Sequence, residues 1–352
     1  MGLRGSLPWG ERREINEWVL AALGVGGLIG MFLLGCAGNA PAPEIIPLGP
    51  EFSGRAAAAH VRAVDEGPDR SAKSEGGYAA HVYLSDAFRA VGAEVETLAD
   101  GTRRHLVAKL PGKSEDAVLL VAADPALAEA AWTDGTGAGV LVELARILAL
   151  EPLPYTVYFG LADLRAGLTE SSSPTERPLE NADAMVGQSL AAPPSVSAPV
   201  MPGSLRASRK RLYDAGESLA NAFAMSSTVG NLRAVIALDA AARPGLRLAR
   251  DLRSHPLYRG LFWASAANLG HSSIFPEDGG WASPRSLHSS FHEIAQGRVL
   301  GLVDEQVARA DLYSAPISAP PAEETLLGLG LVTADALGGL MERLAKIDAF
   351  TP

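Results

Sequence analysis

Several groupings of residue type in this chain have the makings of a reactive site. Gly135 to Gly139 (GTGAG) carries the glycines of a phosphate-cradling loop. Ser286, Ser289 and Ser290 flank His288 as a nucleophile and its base would, and His255, His271 and His292 lie in the same stretch as His288, as metal ligands could. Each has a plainer account. GTGAG lacks the GxGxxG order and the Lys-Ser/Thr pair, so it reads as a turn and a helix start. No G-x-S-x-G elbow occurs, and an imidazole in a Ser-rich loop is more often a hydrogen-bonded surface residue. Asp124 precedes Pro125, as a turn residue does, and Asp239 closes an apolar run where a carboxylate commonly caps a turn. His60, His81 and His105 lie in or beside regular elements, without a carboxylate at ligand spacing in the sequence.

The elements that would position these groups are legible from periodicity. Residues 77–91 have apolar positions at helical spacing, Gly92 stops them, and 93–98 alternate as a strand. Residues 105–110 form a second strand closed by Pro111-Gly112, and 117–122 (AVLLVA) are a continuous apolar run, the mark of a strand buried on both faces. A helix follows over 140–150, then strands over 155–161 and 231–238, and an amphipathic helix over 323–347. Strands alternating with helices predict an α/β three-layer sandwich around a mostly parallel sheet, with ligands beyond the carboxyl ends of the strands. Residues 170–208, rich in Ser, Pro, Ala and Glu, read as an insertion loop. Arg206, Arg209, Lys210 and Arg211 after it read as a solvated helix start rather than an anion site.

Composition bounds the partners. The 30 Lys+Arg against 40 Asp+Glu give a net charge of -10, which argues against an electrostatic grip on nucleic acid or on anionic lipid, since both partners need clustered cations. One cysteine excludes an internal disulfide framework and a Cys-based metal cage. That cysteine, Cys36, lies in a charge-free stretch from Trp18 to Gly38, long enough at about 1.5 Å per residue to span a hydrocarbon core. Arg4, Arg12 and Arg13 precede it and no basic residue follows over 39–48, so the positive-inside bias places residues 1–17 in the cytoplasm and the rest outside. Leu33-Leu34-Gly35-Cys36 has the form of a lipobox, so an uncleaved signal anchor and a lipoprotein signal are both open; either leaves an extracytoplasmic, membrane-tethered domain. Gly26 and Gly30 make a small-xxx-small pair through which a second transmembrane helix could approach. Residues 39–54 read as a tether and 55–350 as one domain.

The order of pieces within that domain, GGYAAHVYLSDAFRAVGAEVE, HLVAKLPG, AVLLVAAD, DGTGAGVLVELARIL, YTVYFGLADLRAGL, AVIALD, SLHSSF and EETLLGLGLVTADAL, resembles the zinc aminopeptidase and glutaminyl cyclase family, metallopeptidase family 28 of clan MH. The resemblance implies that family's fold. Its active members hold two zinc ions, or one in the cyclases, on His, Asp and Glu ligands, with a Glu as general base.

Carried over position by position, most of that ligand set is missing. The family's His-x-Asp falls on Ala122-Ala123-Asp124, so a methyl group replaces the imidazole. Its Asp-Asp-Gly-Ser-Gly falls on Thr133-Asp134-Gly135-Thr136-Gly137, with Thr133 at the bridging carboxylate and Asp134 able to serve only by a register shift. The Glu-Glu pair after YTVYFGL is replaced by Asp163, Arg165 and Ala166. Asp239 stands at the family's strand-end Asp, and His288 at the His of Ser-Asp-His-x-x-Phe, with Leu287 for its Asp. The aromatic-His-Thr segment is Leu312-Tyr313-Ser314. The expectation is a degenerate member without catalytic residues or cofactor, with Asp124, Asp134, Asp239 and His288 as vestiges. It would serve as an accessory subunit among other membrane proteins, with room for a peptide in the vestigial cleft. The alternative is a zinc-dependent aminopeptidase or cyclase with a rearranged site.

Overall fold

The computed structural model describes residues 51–65, 75–124, 135–164, 202–226, 232–240, 242–282, 286–309 and 322–350. The proposed membrane segment with Trp18, Gly26, Gly30 and Cys36 lies outside them. So do Thr133, Asp134, Arg165, Ala166 and the Leu312-Tyr313-Ser314 segment.

The described chain opens with two helices, α1 (Gly54–Asp65) and α2 (Glu75–Ala90). The hairpin β1 (Glu94–Asp100) and β2 (Arg103–Leu110) follows, then β3 (Ser114–Ala123), α3 (Thr136–Leu148) and β4 (Tyr155–Ala162). After α4 (Pro202–Met225) and β5 (Leu232–Asp239) come β6 (Arg250–Asp251), α5 (Pro256–Asn268) and β7 (Trp281–Ala282). A 3-10 turn (Leu287–Phe291), β8 (Val299–Val303), α6 (Glu305–Arg309) and α7 (Glu323–Phe350) complete it. Six strands form one sheet in the order β1-β2-β4-β3-β5-β8. The block β4-β3-β5-β8 is parallel, and the β1-β2 hairpin joins it antiparallel through β2 and β4.

The sheet separates two cores. Val118, Leu120 and Ala122 of β3 face α1, α2, α3, α5 and α7, whereas Leu119 and Val121 face α4 and the 3-10 turn. Burial on both faces is why β3 reads as an unbroken apolar run. Each such Val or Leu contributes about 1.5–3 kcal/mol of transfer free energy. The connection from β3 to β4 runs through α3 on one face, and that from β4 to β5 through α4 on the other. The winding thus reverses between β3 and β5, and α/β folds take ligands beyond the carboxyl ends of the strands at such a reversal.

Two lengths differ from the sequence reading. Helix α4 starts at Pro202, inside the stretch expected as loop, and α3 starts at Thr136 rather than 140. Gly135, at φ +71°, supplies the left-handed residue that turns the chain into α3. Among the described residues one helix, Glu323–Ala349, is long and apolar enough to cross a membrane, but Leu326, Leu329, Val332, Leu337 and Leu340 bury it in the domain. Its Gly330 leaves the space that the Phe52 ring fills.

Candidate functional site

Each strand of the parallel block delivers an aspartate at its carboxyl end: Asp163 after β4, Asp124 after β3, Asp239 closing β5 and Asp304 after β8. Three of them are fully buried, which demands partners. The Asp163 carboxylate accepts the Arg104 backbone N–H at 2.8 Å, and its own N–H donates to His105 Nδ1 at 3.0 Å. With Nδ1 an acceptor, the His105 proton sits on Nε2 and is donated to Ser218 Oγ at 3.0 Å. Asp304 takes both arms of Arg243, at 3.0 and 3.1 Å, and the Gln306 N–H at 2.8 Å. Asp124 is pinned by its N–H to Ala162 O at 2.9 Å, and its carboxylate lies 3.4 Å from His81 Nδ1. His81 thus has a carboxylate neighbour that spacing along the chain did not reveal, because α2 brings it to β3 across the fold.

The residue at the family's first ligand position carries no donor atom in its side chain. Ala122 is buried in the core, and α3 begins directly against it: a Cβ built on Gly137 would stand 2.5 Å from the Ala122 Cβ. Thr136 locks this helix start by accepting the Ala242 N–H at 2.9 Å.

Alternation along β5 aims Asp239 toward the face of Val235 and Ala237, while Asp124 meets His81 from the helix layer on the other face. His288 is wholly buried in the 3-10 turn, not at a surface, and its Nε2 lies 3.1 Å from Asp251 Oδ2. Ser254 Oγ donates to the same oxygen at 2.7 Å and accepts the Gly301 N–H at 2.9 Å. Burial, the largest influence on Asp251, opposes its ionisation, but the His288 ring, Ser254 and the Arg253 backbone outweigh it and hold the carboxyl below its ordinary range. The imidazole lies over Gly301, where a Cβ would come within 2.6 Å of the ring.

The other histidines and serines of the sequence cluster disperse. His292 stands 6.4 Å from His288, ring to ring, its pKa lowered by burial and then by His288. His255 packs on Tyr258, and His271 lies against Gly328 of α7. Ser289 and Ser290 donate to the backbone carbonyls of Ser286 and Tyr213. In the former basic cluster Lys210 pairs with Asp214 on the surface of α4.

The sequence matches no protein-family profile and no curated protein. Solved structures do match. A leucine aminopeptidase precursor from Bacteroides thetaiotaomicron aligns at 15% identity and TM-score 0.56, over 83% of this chain and 98% of that one. Glutaminyl cyclase from Porphyromonas gingivalis aligns at 14% identity and TM-score 0.59, over 83% and 99%. An Acidobacteriales glutaminyl cyclase aligns at 21% identity and TM-score 0.53, over 88% and 98%. The chain has the fold of zinc-dependent exopeptidases and glutaminyl cyclases.

The side chains described at the strand ends do not fit that fold's zinc. A zinc site needs three or four lone pairs converging at about 2.0–2.3 Å. Here Ala122 offers none, Asp304 holds Arg243 and the Gln306 N–H, Asp163 accepts a backbone N–H, His288 is turned to Asp251, and Asp124 with its neighbour His81 makes two donors rather than three. Among the described residues no three His, Cys, Asp or Glu side chains converge for a metal ion.

Proposed function

We propose that the protein is a non-catalytic member of this fold, held outside the cytoplasm by a membrane segment at residues 18–38, and used for binding or assembly as an accessory subunit of a membrane complex. One observation supports the loss of catalysis: buried Ala122 offers only a methyl group where a metal-binding relative would need a donor. Two acids at the strand ends have structural work, Asp304 clamping Arg243 and Asp163 holding the end of β2. The reversal of winding between β3 and β5 is the place where this topology takes ligands, so a peptide segment of a partner is a fitting occupant there.

Affinity purification of the full chain in mild detergent tests the assembly role. The expected result is a membrane protein retained in stoichiometric amount; recovery of the chain alone defeats the role. Intact mass separates the two forms of anchor, because a lipoprotein loses residues 1–35 and gains acyl chains at Cys36.

A second reading has one observation behind it. His81 beside Asp124 adds a donor that the family pattern does not supply. A rearranged zinc aminopeptidase or cyclase would draw on it with Asp134, Asp163, Asp239 and His288. That reading requires chelator-sensitive activity that His81→Ala abolishes.

A further inference from the structure

At one edge of the sheet, β1 has β2 as its sole neighbour among the described residues, along a strand of 7 residues. The two-residue turn Gly101-Thr102 closes on Asp100 and Arg103, which makes them a hydrogen-bonded pair and fixes the alternation along the strand. Glu94, Glu96 and Leu98 therefore turn their backbone groups to β2 as Asp100 does, and Val95, Thr97 and Ala99 turn theirs outward. Arg104, opposite Ala99, has the same parity: its N–H points away from β1 and donates to the Asp163 carboxylate at 2.8 Å. Thr97 and Ala99 are exposed and Val95 is half-buried. The other edge is covered. Along β8 the Ala249 and His255 N–H groups donate to the carbonyls of Val303 and Val299 at 2.9 and 2.7 Å, and Ser254 Oγ accepts the Gly301 N–H.

Free edges are ordinarily blunted by lysine, proline, a bulge or a very short strand. β1 contains neither lysine nor proline, and its register with β2 is unbroken. Every charge on it is acidic, and Glu94, Glu96 and Asp100 share one face with Leu98. Lys109 pairs with Glu94 at 3.6 Å, whereas Glu96 and Asp100 have no ion pair among the described residues. Arg103, opposite Asp100, donates instead to the Asp214 carbonyl, and Arg104 donates to the carbonyls of Gly101 and Arg103. The negative field reaches Tyr158, two strands away, whose pKa is raised by burial and then by Glu96, Glu94 and Glu115. Two copies of β1 paired antiparallel about Thr97 would set Glu94 opposite Asp100 on both sides of the two-fold axis, and like charges so placed destabilise a ladder. A strand with cations at alternate positions meets the same acids favourably.

We propose that the open edge of β1 takes an extended strand of a partner protein with lysine or arginine at alternate positions, added to the sheet beside Val95, Thr97 and Ala99. The outward N–H and C=O groups of these residues supply the ladder, and Glu96 and Asp100 select a basic strand over an acidic one. This gives the assembly role above a place on the molecule, and it rests on that reading only for the partner being a membrane protein.

The test uses the full chain in mild detergent and a fluorescent peptide as long as β1 that alternates lysine with valine, against the same peptide with glutamate for lysine. The lysine peptide is expected to bind roughly tenfold tighter or more. Residue-resolved hydrogen exchange is expected to show the amides of Val95, Thr97 and Ala99 slowed by the peptide, and those of Glu96 and Leu98, already bonded to β2, unchanged. Thr97→Pro removes an outward donor that β2 does not use, and is expected to weaken binding about tenfold. Glu96→Lys with Asp100→Lys should turn the preference to the glutamate peptide, and it decides the matter if Thr97→Pro does not fold. No binding, equal binding of the two peptides, or protection confined to other residues overturns the proposal. So does a dimer in sedimentation that Thr97→Pro dissolves, since a second copy would then hold the edge. Recovery of the chain alone in the affinity purification removes the accessory role, and the peptide measurements decide the edge without it.

Discussion

Ala122 and Gly137 stand so close that any side chain added to the glycine would meet the alanine methyl at 2.5 Å and the Leu238 carbonyl at 3.2 Å. The amino end of α3 therefore occupies the space beside the end of β3. Overpacking of this kind costs about 1–3 kcal/mol, so Gly137→Ala is expected to lower the thermal midpoint, and Ala122→Gly to restore part of the loss in the double variant. Ala122→His reinstates the family's imidazole beside the family's own glycine, and added zinc is expected to leave its midpoint unchanged. Thermal unfolding of the full chain in mild detergent, with and without zinc, measures each of these.

The buried pair of Asp251 and His288 gives a second expectation. Replacing His288 by Leu leaves a carboxylate inside the core beside Ser254, at a cost of about 3 kcal/mol or more. Asp251→Asn in the same chain should recover much of that loss, because the stranded charge is then gone. Denaturant midpoints of the two single variants and the double variant check the coupling; additive losses would mean the two residues act apart. Gly301→Ala should be as damaging as His288→Leu, since its methyl would enter the imidazole ring.

How far the sequence disclosed all this depends on whether the signal was local. The run AVLLVA announced β3 because burial on both faces leaves no room for a polar residue, and the structure extends it only to Ser114–Ala123. The strand VLGLV of β8 is as fully buried, but it is five residues long with a central glycine, and went unread. That glycine is explained by His288 lying on it, a contact between distant segments. The same limit hid Asp251, which becomes the partner of His288 only once β6 lies beside β8. It hid His81 too, carried to Asp124 by α2. The aspartates at the ends of β3 and β5 were legible because they close recognisable strands; their partners were not.

Acid sensitivity should be traceable to the opposite end of the sheet. Asp348, near the end of α7, accepts the Tyr155 hydroxyl and both arms of Arg233, which also reaches Asp116. The Tyr155 hydrogen bond, then Arg233, hold the Asp348 pKa below its ordinary value, while burial and the Asp348 bond push Tyr155 up. A lowered carboxylate pKa stabilises the fold above the unfolded value of about 3.9, and that contribution is lost as the pH falls through the folded value. Asp348→Asn should therefore be less stable than the parent at neutral pH, and the gap should close below about pH 4. Urea midpoints across that range test the sign; a gap that widens in acid would refute it.

Zinc content is the most direct test of the central claim that this chain keeps the exopeptidase and cyclase fold without its chemistry. The full chain is purified without chelator, exposed to excess zinc, freed of unbound metal and analysed for metal per chain, with hydrolysis of aminoacyl substrates and cyclisation of N-terminal glutamine followed in parallel. The account predicts zinc far below stoichiometric and no activity that a chelator removes. One or two tightly held zinc ions per chain, with chelator-sensitive turnover, would contradict it.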